Sequence, residues 1–151
     1  MDPATLTASA LGPLIRSRQL SAEEATRATL ARIDRLNPDL NAIVQRMDDQ
    51  ALADARAIDA RMAQGEYPGP LAGVPVTVKV NIDQAGFATT NGLRIQANLI
   101  AAEDSPPVTN LRRAGAIIVG RTNTPAFSLR WFTRNSLHGA TQNPAFPGLT
   151  P

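Results

Sequence analysis

A chain of 151 residues with fifteen basic and thirteen acidic side chains has the length of one domain and a net charge of +2. Such a chain buries roughly two thirds of its unfolded surface. Its basic residues are scattered, Arg112-Arg113 being the only adjacent pair, so the clustered stripe with stacking aromatics that nucleic-acid binding needs is missing. Cysteine is absent, which excludes disulfides and thiolate metal sites and fits a reducing compartment. No apolar run approaches membrane-spanning length, and the amino terminus has no basic-then-apolar signal pattern. The expectation is a soluble cytoplasmic protein with no cofactor, no direct nucleic-acid partner and no membrane partner.

The chain opens with helical material. Residues 5–18 carry Leu6, Leu11, Leu14 and Ile15, with Gly12-Pro13 in the middle, which predicts a broken or late-starting helix. Ser21-Ala22-Glu23-Glu24 is a capping-box pattern. From there Ala22, Thr26, Leu30, Ile33 and Leu36 follow helical spacing, and Asn37-Pro38 is predicted to end the helix. Residues 41–45 are a short candidate strand. A further helix is predicted over 49–63, with Leu52, Ala55, Ile58 and Met62 inward and Gly65 just past its end. These helices read as scaffold, and Glu23-Glu24 and Asp48-Asp49 as dipole partners at helix starts.

A Gly/Pro-rich loop, 65–73, then delivers the chain into Val74-Pro75-Val76-Thr77-Val78-Lys79-Val80-Asn81-Ile82. Lys79 is the only lysine beside fourteen arginines. Alternation along a strand puts Val74, Val76, Val78 and Val80 on one face, and Thr77, Lys79 and Asn81 on the other. Arginine stays charged, whereas a desolvated lysine can lose its proton and become a base. A lysine at a strand end also snorkels to water, and spacing alone leaves both readings open.

Residues 83–92 are turn-rich. Ser105-Pro106-Pro107 predicts a serine-capped helix start, with Val108, Leu111 and Ala114 packed and Gly115 as the stop. Residues 116–120 read as a short buried strand, and the succession is that of an α/β sheet. The glycines at 115 and 120 bracket a strand, so they do not form a nucleotide-binding turn. Thr124-Pro125 predicts another helix start. Four of the six aromatics (Phe127, Trp131, Phe132, Phe146) and the single histidine, His138, fall in the last twenty-five residues. Such aromatics cover a core more often than they line a cleft. His138 is open as a base or, near a hydroxyl, as part of a triad; one histidine without cysteine makes no metal site.

Gly73-Val74-Pro75-Val76-Thr77-Val78-Lys79, followed by Asn81-Ile82, resembles the lysine strand of the amidase signature family of serine hydrolases. Thr89-Thr90-Asn91-Gly92, the 104–116 segment with Leu111-Arg112-Arg113-Ala114-Gly115-Ala116, Gly120-Arg121-Thr122-Asn123-Thr124-Pro125, and Asn143-Pro144 resemble the family's following segments in order and approximate spacing. The helices over 21–41 and 49–65 are similar to the family's amino-terminal helices. Two departures stand out: Val80 where the family commonly has an acidic residue, and Ala126 where a glutamate is frequent.

The resemblance implies an α/β fold, amino-terminal helices leading into part of a mixed β-sheet flanked by helices. It implies that residues 1–151 are the amino-terminal portion of a single amidase-like domain. It also implies cleavage of a carboxamide C–N bond in a small-molecule substrate by a Ser-cisSer-Lys relay. Lys79 aligns with the catalytic lysine, and Thr122 and Asn123 with supporting residues. The two serines would lie in a Gly/Ser-rich stretch beginning just after Pro151, so the 151 residues alone are expected to be inactive. The alternatives are a non-enzymatic fragment or one component of a tRNA-dependent amidotransferase. A sheet ending after the 116–120 strand is expected to leave a Val/Ile-rich edge, and with it self-association through exposed sheet edges.

Overall fold

The structure, a computed structural model, describes residues 2–146 and 148–151. Among them are four α-helices: α1 (Ala8–Arg16), α2 (Ala22–Leu40), α3 (Asp48–Ala63) and α4 (Pro106–Arg113). The strands are β1 (Ile43–Arg46), β2 (Pro75–Lys79), β3 (Ile117–Thr122), β4 (Arg134–Asn135) and β5 (Gly139–Ala140). The three longer strands make one sheet in the order β1-β3-β2, and β4 and β5 pair as a separate ribbon. β1 runs antiparallel to β3 with a register shift between Ile43 and Gln45. The Ile117 N–H donates to the Val74 carbonyl and the Val80 N–H to the Thr122 carbonyl, so β2 and β3 advance in the same direction, with α4 on the connection between them.

The mixed α/β sheet expected from the sequence is therefore present, with one correction. β3 is the central strand, so the outer positions of the sheet fall to β1 and β2. Residues 117–121 of β3 are all buried, which explains why that strand reads as a continuous apolar run before Gly120 and Arg121.

The chain forms two compact units, one of Met1–Asp34, Met47–Thr77 and Thr109–Val119, the other of Arg35–Arg46, Val78–Val108 and Gly120–Pro151. The first unit is scaffold. Its core draws Leu11 and Ile15 from α1, Ala22, Ala25, Leu30 and Ile33 from α2, Ala51, Ala55 and Ile58 from α3, Val74 from the loop just before β2, and Ile117–Val119 from β3. The capping box forms as predicted: the Ser21 N–H donates to Glu24 Oε2 at 2.8 Å, and the Glu24 N–H donates to Ser21 Oγ at 3.0 Å. The Ser21 N–H and then the Ser21 hydroxyl, both donating to Glu24 Oε2, hold that carboxyl below the usual carboxylate range. Asp59 of α3 completes the helix start by accepting the N–H groups of Ala22 and Glu23.

Three boundaries differ from expectation. α1 starts late, at Ala8, but continues through Gly12-Pro13; Ser9, whose carbonyl loses its helical donor, lies at the exposed start of the helix. α2 passes Asn37-Pro38 and stops at Leu40, where Asn41 takes φ 49°. Asn37 then serves the turn into β1, its Oδ1 accepting from the Ala42 and Ile43 N–H groups. Thr124-Pro125 starts only a single 3-10 turn, Ala126–Ser128, because Phe127 is left-handed at φ 53°. α4 begins at Pro106 as predicted, yet the Ser105 hydroxyl is buried without a hydrogen-bond partner and makes no cap bond.

The loop into β2 is tightly constrained. Gly73 has φ 74°, and a Cβ there would stand 2.6 Å from the Ala22 Cβ and 3.1 Å from the Ile15 Cγ2. Gly73→Ala is expected to cost about 2–3 kcal/mol, combining left-handed strain with overpacking, as read by urea denaturation. A change below about 0.5 kcal/mol would show that α1 and α2 can yield there.

Candidate active site

The candidate site is built in the second unit, where β2 and β3 end side by side. β2 ends at Lys79, and the chain turns at once: the Ile82 N–H donates to the Lys79 carbonyl at 3.0 Å. Val78 and Val80 are buried while Lys79 is half-buried and Thr77 exposed, as the alternation predicts, but Val76, expected on the buried face, is only half-buried. Asn81 is not a further strand residue but part of the turn. The Val80 N–H donates to the Thr122 carbonyl, which places the end of the lysine strand against the end of β3. Carboxyl ends of parallel strands are where α/β sheets gather functional groups. Among the described residues, the Lys79 ammonium has no side-chain hydrogen bond or ion pair.

Asn123, expected as a supporting residue, is 6% exposed and fully engaged. Its Oδ1 accepts from the Thr124 N–H at 2.9 Å and from Asn135 Nδ2 at 2.7 Å. Its Nδ2 donates to Thr141 Oγ1 at 3.1 Å and to the Gly139 carbonyl at 3.3 Å. Asn135 in turn donates to the Thr124 carbonyl and accepts from the Leu137 and His138 N–H groups. Asn41 donates to the carbonyls of His138 and Ala140. Asparagine is suited to this work because one side chain both donates and accepts, matching the unpaired backbone of a two-residue ribbon. Asn123 thus holds the β4–β5 ribbon to the end of β3. Thr122, half-buried, meets the lysine strand through its backbone carbonyl.

Arg121 escaped the sequence reading. It is fully buried, and its guanidinium donates to Gln45 Oε1 at 3.0 Å, the Ala88 carbonyl at 2.7 Å and the Ile82 carbonyl at 2.8 Å. It also lies 5.9 Å from the centre of the Phe87 ring. One cation thereby gathers both ends of the 82–88 loop that leaves Lys79. Burial draws its pKa down, and the Asp83 carboxylate opposes that shift; the group remains charged. A charge one glycine beyond the apolar run 116–119 was the available signal.

His138 lies with Nε2 3.2 Å from Thr90 Oγ1. Burial first, and then the Arg121 charge, hold its pKa below the ordinary histidine value. The aromatics do not cover a core in this chain: Trp131 is 100% exposed, and Phe127, Phe132 and Phe146 are exposed as well. No His/Cys/Asp/Glu cluster able to hold a metal ion occurs among the described residues, and among them no helix is long and apolar enough to cross a membrane.

A mixed α/β sheet with a half-buried lysine at the end of one parallel strand, braced by an asparagine network at the end of the next, defines a class of catalytic scaffold. The protein-family model described as Amidase matches residues 24–151, and the chain belongs to that family. It is 47% identical over 136 residues to the indoleacetamide hydrolase of Bradyrhizobium diazoefficiens, covering 90% of this chain and 26% of that protein. It is 44% identical over 138 residues to a glutamyl-tRNA(Gln) amidotransferase subunit of Acidothermus cellulolyticus, covering 91% of this chain and 27% of that protein. Among solved structures, a bacterial aryl acylamidase of the amidase signature enzymes superposes with a TM-score of 0.89 at 31% identity, over 93% of this chain and 30% of that one. The family inferred from the lysine strand and its following segments is the family found. The chain spans between a quarter and a third of the length of these relatives.

Proposed function

We propose that this chain supplies the lysine half of an amide-hydrolysing site, with Lys79 as the base of a Ser-cisSer-Lys relay whose serines lie outside these 151 residues. The observation that carries the reading is the sole lysine, set half-buried at the carboxyl end of β2 beside the end of β3. In this relay the neutral Lys79 amine takes a proton from the bridging serine, which takes one from the nucleophilic serine. The serine oxygen attacks the amide carbonyl carbon, and the C–N bond breaks as a proton returns to nitrogen. Ammonia or an amine leaves, and water cleaves the acyl-serine ester. Thr122 supports the site through its backbone carbonyl, and Asn123 through its side-chain amide, which fixes the 134–141 ribbon. The chain by itself, lacking the relay serines, is expected to be inactive. The cysteine-free sequence supports a cytoplasmic setting and a small amide substrate needs no cofactor; any self-association would use β1 or β2.

The test is a chimera of the Bradyrhizobium diazoefficiens indoleacetamide hydrolase in which residues 24–151 replace the matching segment. A folded chimera that hydrolyses indoleacetamide is the expected result; a folded chimera without turnover would sink the proposal. The similarity to amidotransferase subunits favours a second reading, in which the same lysine serves glutamine hydrolysis for transfer to glutamyl-tRNA. Chimeras built on the Acidothermus cellulolyticus protein, assayed for glutamine hydrolysis stimulated by glutamyl-tRNA, separate the two.

His138 is expected to be dispensable for this chemistry, since the relay needs no imidazole. His138→Ala in the active chimera should keep kcat within about threefold, far short of the loss a general base would cause. It should also change the response to acid. Folded His138 resists protonation more than the unfolded chain does, so below pH about 6.5 the unfolded chain binds more protons. Stability is therefore complete above that pH and declines as the pH falls toward the lowered folded value, and His138→Ala should flatten that decline in pH-dependent melting curves.

A further inference from the structure

We propose that a cavity beside the β4–β5 ribbon binds a small aromatic carboxylate through Arg94, Arg130 and Arg134; the inference is independent of the role given to Lys79. From Ser105 to Pro151 the sequence holds five arginines and no acidic residue. Two of those arginines, Arg130 and Arg134, line one cavity of about 380 Å³ together with Ala126, Phe132, Asn135 and Ser136. Arg94 joins them from the 3-10 turn over 94–96, its Nε donating to the Ser136 carbonyl at 2.9 Å. The Arg130 guanidinium lies 5.7 Å from the centre of the Phe132 ring. Among the described residues, none of these three guanidiniums forms an ion pair.

Folding by itself does not ask for this arrangement, because like charges around one space repel. Elsewhere the chain matches its arginines: Arg27 and Arg56 share Glu23, and Arg121 spends its donors on carbonyls and an amide. The frame of the cavity is fixed. The Thr133 N–H donates to Thr150 Oγ1 at 3.2 Å, its carbonyl accepts from the Thr141 N–H at 2.9 Å, and the Arg134 N–H donates to the Phe132 carbonyl. Asn135 Nδ2 is already committed to Asn123 and Thr124, so the arginines are the donors left for a ligand. A planar guanidinium meets a carboxylate through two parallel N–H···O bonds. Phe132 and Ala126 give the same cavity an apolar wall, which suits an aromatic body better than a bare, hydrated phosphate. The cavity has the size of a small-molecule site, and its charges surround one space instead of forming the stripe that a nucleic acid needs.

Trp131, the sole tryptophan, stands fully exposed between Arg130 and Phe132 in sequence, so its fluorescence reports on the cavity. Titrating this chain with phenylacetate should change that emission saturably. The neutral isostere phenylacetamide and inorganic phosphate should each bind at least about tenfold more weakly. Arg130→Ala and Arg134→Ala should each weaken phenylacetate binding about tenfold, while the ligand-free melting midpoint stays within about 2 °C of wild type, since both side chains are exposed and unpaired. In the indoleacetamide hydrolase chimera, phenylacetate should raise the melting midpoint, and Arg134→Ala should reduce that rise. Acid, amide and phosphate binding alike, or arginine variants that bind as wild type does, would overturn the proposal. So would binding by this chain that vanishes in the chimera, because carboxylates of the added protein would then be what the arginines take.

Discussion

Lys79→Ala in the indoleacetamide hydrolase chimera is expected to lower kcat by about 10³-fold or more while leaving folding intact, and Lys79→Arg is expected not to restore it. The side chain is half-buried at a strand end and has no side-chain hydrogen bond among the described residues, so its removal strands no buried acceptor there. The backbone around it is secured independently, by the Ile82-to-Lys79 turn bond and the Val80-to-Thr122 bond. Thermal midpoints should therefore stay close to wild type. Arginine would keep the positive charge and most of the bulk, but its guanidinium does not surrender a proton near neutral pH and cannot accept one from serine. This separates a proton-transfer role from an electrostatic one. Steady-state rates of both variants decide the matter: a Lys79→Arg enzyme with most of the wild-type rate would rule out the relay.

Arg121→Ala is expected to be among the most destabilising single substitutions in the chain, costing about 3–5 kcal/mol in chemical denaturation. Truncation leaves the Gln45 oxygen and the Ile82 and Ala88 carbonyls without the donor they now share, and opens space at a fully buried position. Arg121→Lys keeps the charge but replaces a planar fork with a single ammonium that cannot span three acceptors in that geometry, so an intermediate loss of about 1–3 kcal/mol is expected. A further consequence is spectroscopic. The Arg121 charge is one of two causes that lower the His138 pKa. In the arginine-free variant the histidine should titrate at higher pH than in wild type, measured by NMR of the single imidazole. A loss below about 1 kcal/mol would show that other bonds hold the 82–88 loop.

Several features were already decided by local sequence. The start of α2 follows from Ser21 and Glu24, which need only three residues of chain to satisfy each other's backbone donors. The end of α3 before Gly65 and that of α4 before Gly115 follow from residue types that tolerate positive φ. The burial of Val78 and Val80 on either side of half-buried Lys79 follows from strand alternation, and the family from an ordered set of segments spread over most of the chain. The singular use of lysine at position 79 was also visible without coordinates.

What tertiary structure decided depends on partners distant in sequence. Pro13 was tolerated within α1 because Leu11 and Ile15 around it are packed, an energy no local rule contains, whereas Pro38 sits in the exposed last turn of α2, beyond its last buried residue, Ile33. β3 became the central strand because β1 pairs with it across more than seventy residues of chain, a choice invisible in either segment. The buried role of Arg121 required carbonyls from residues 82 and 88 and an amide from residue 45 to converge on one guanidinium. The hydrogen bond from Asn81 Nδ2 to Ser128 Oγ required a left-handed turn that Thr124-Pro125 disguises as a helix start. Caps, stops and alternation are set by bonds within one turn or strand, whereas a site's support comes from hydrogen bonds whose partners only the folded chain brings within about 3 Å.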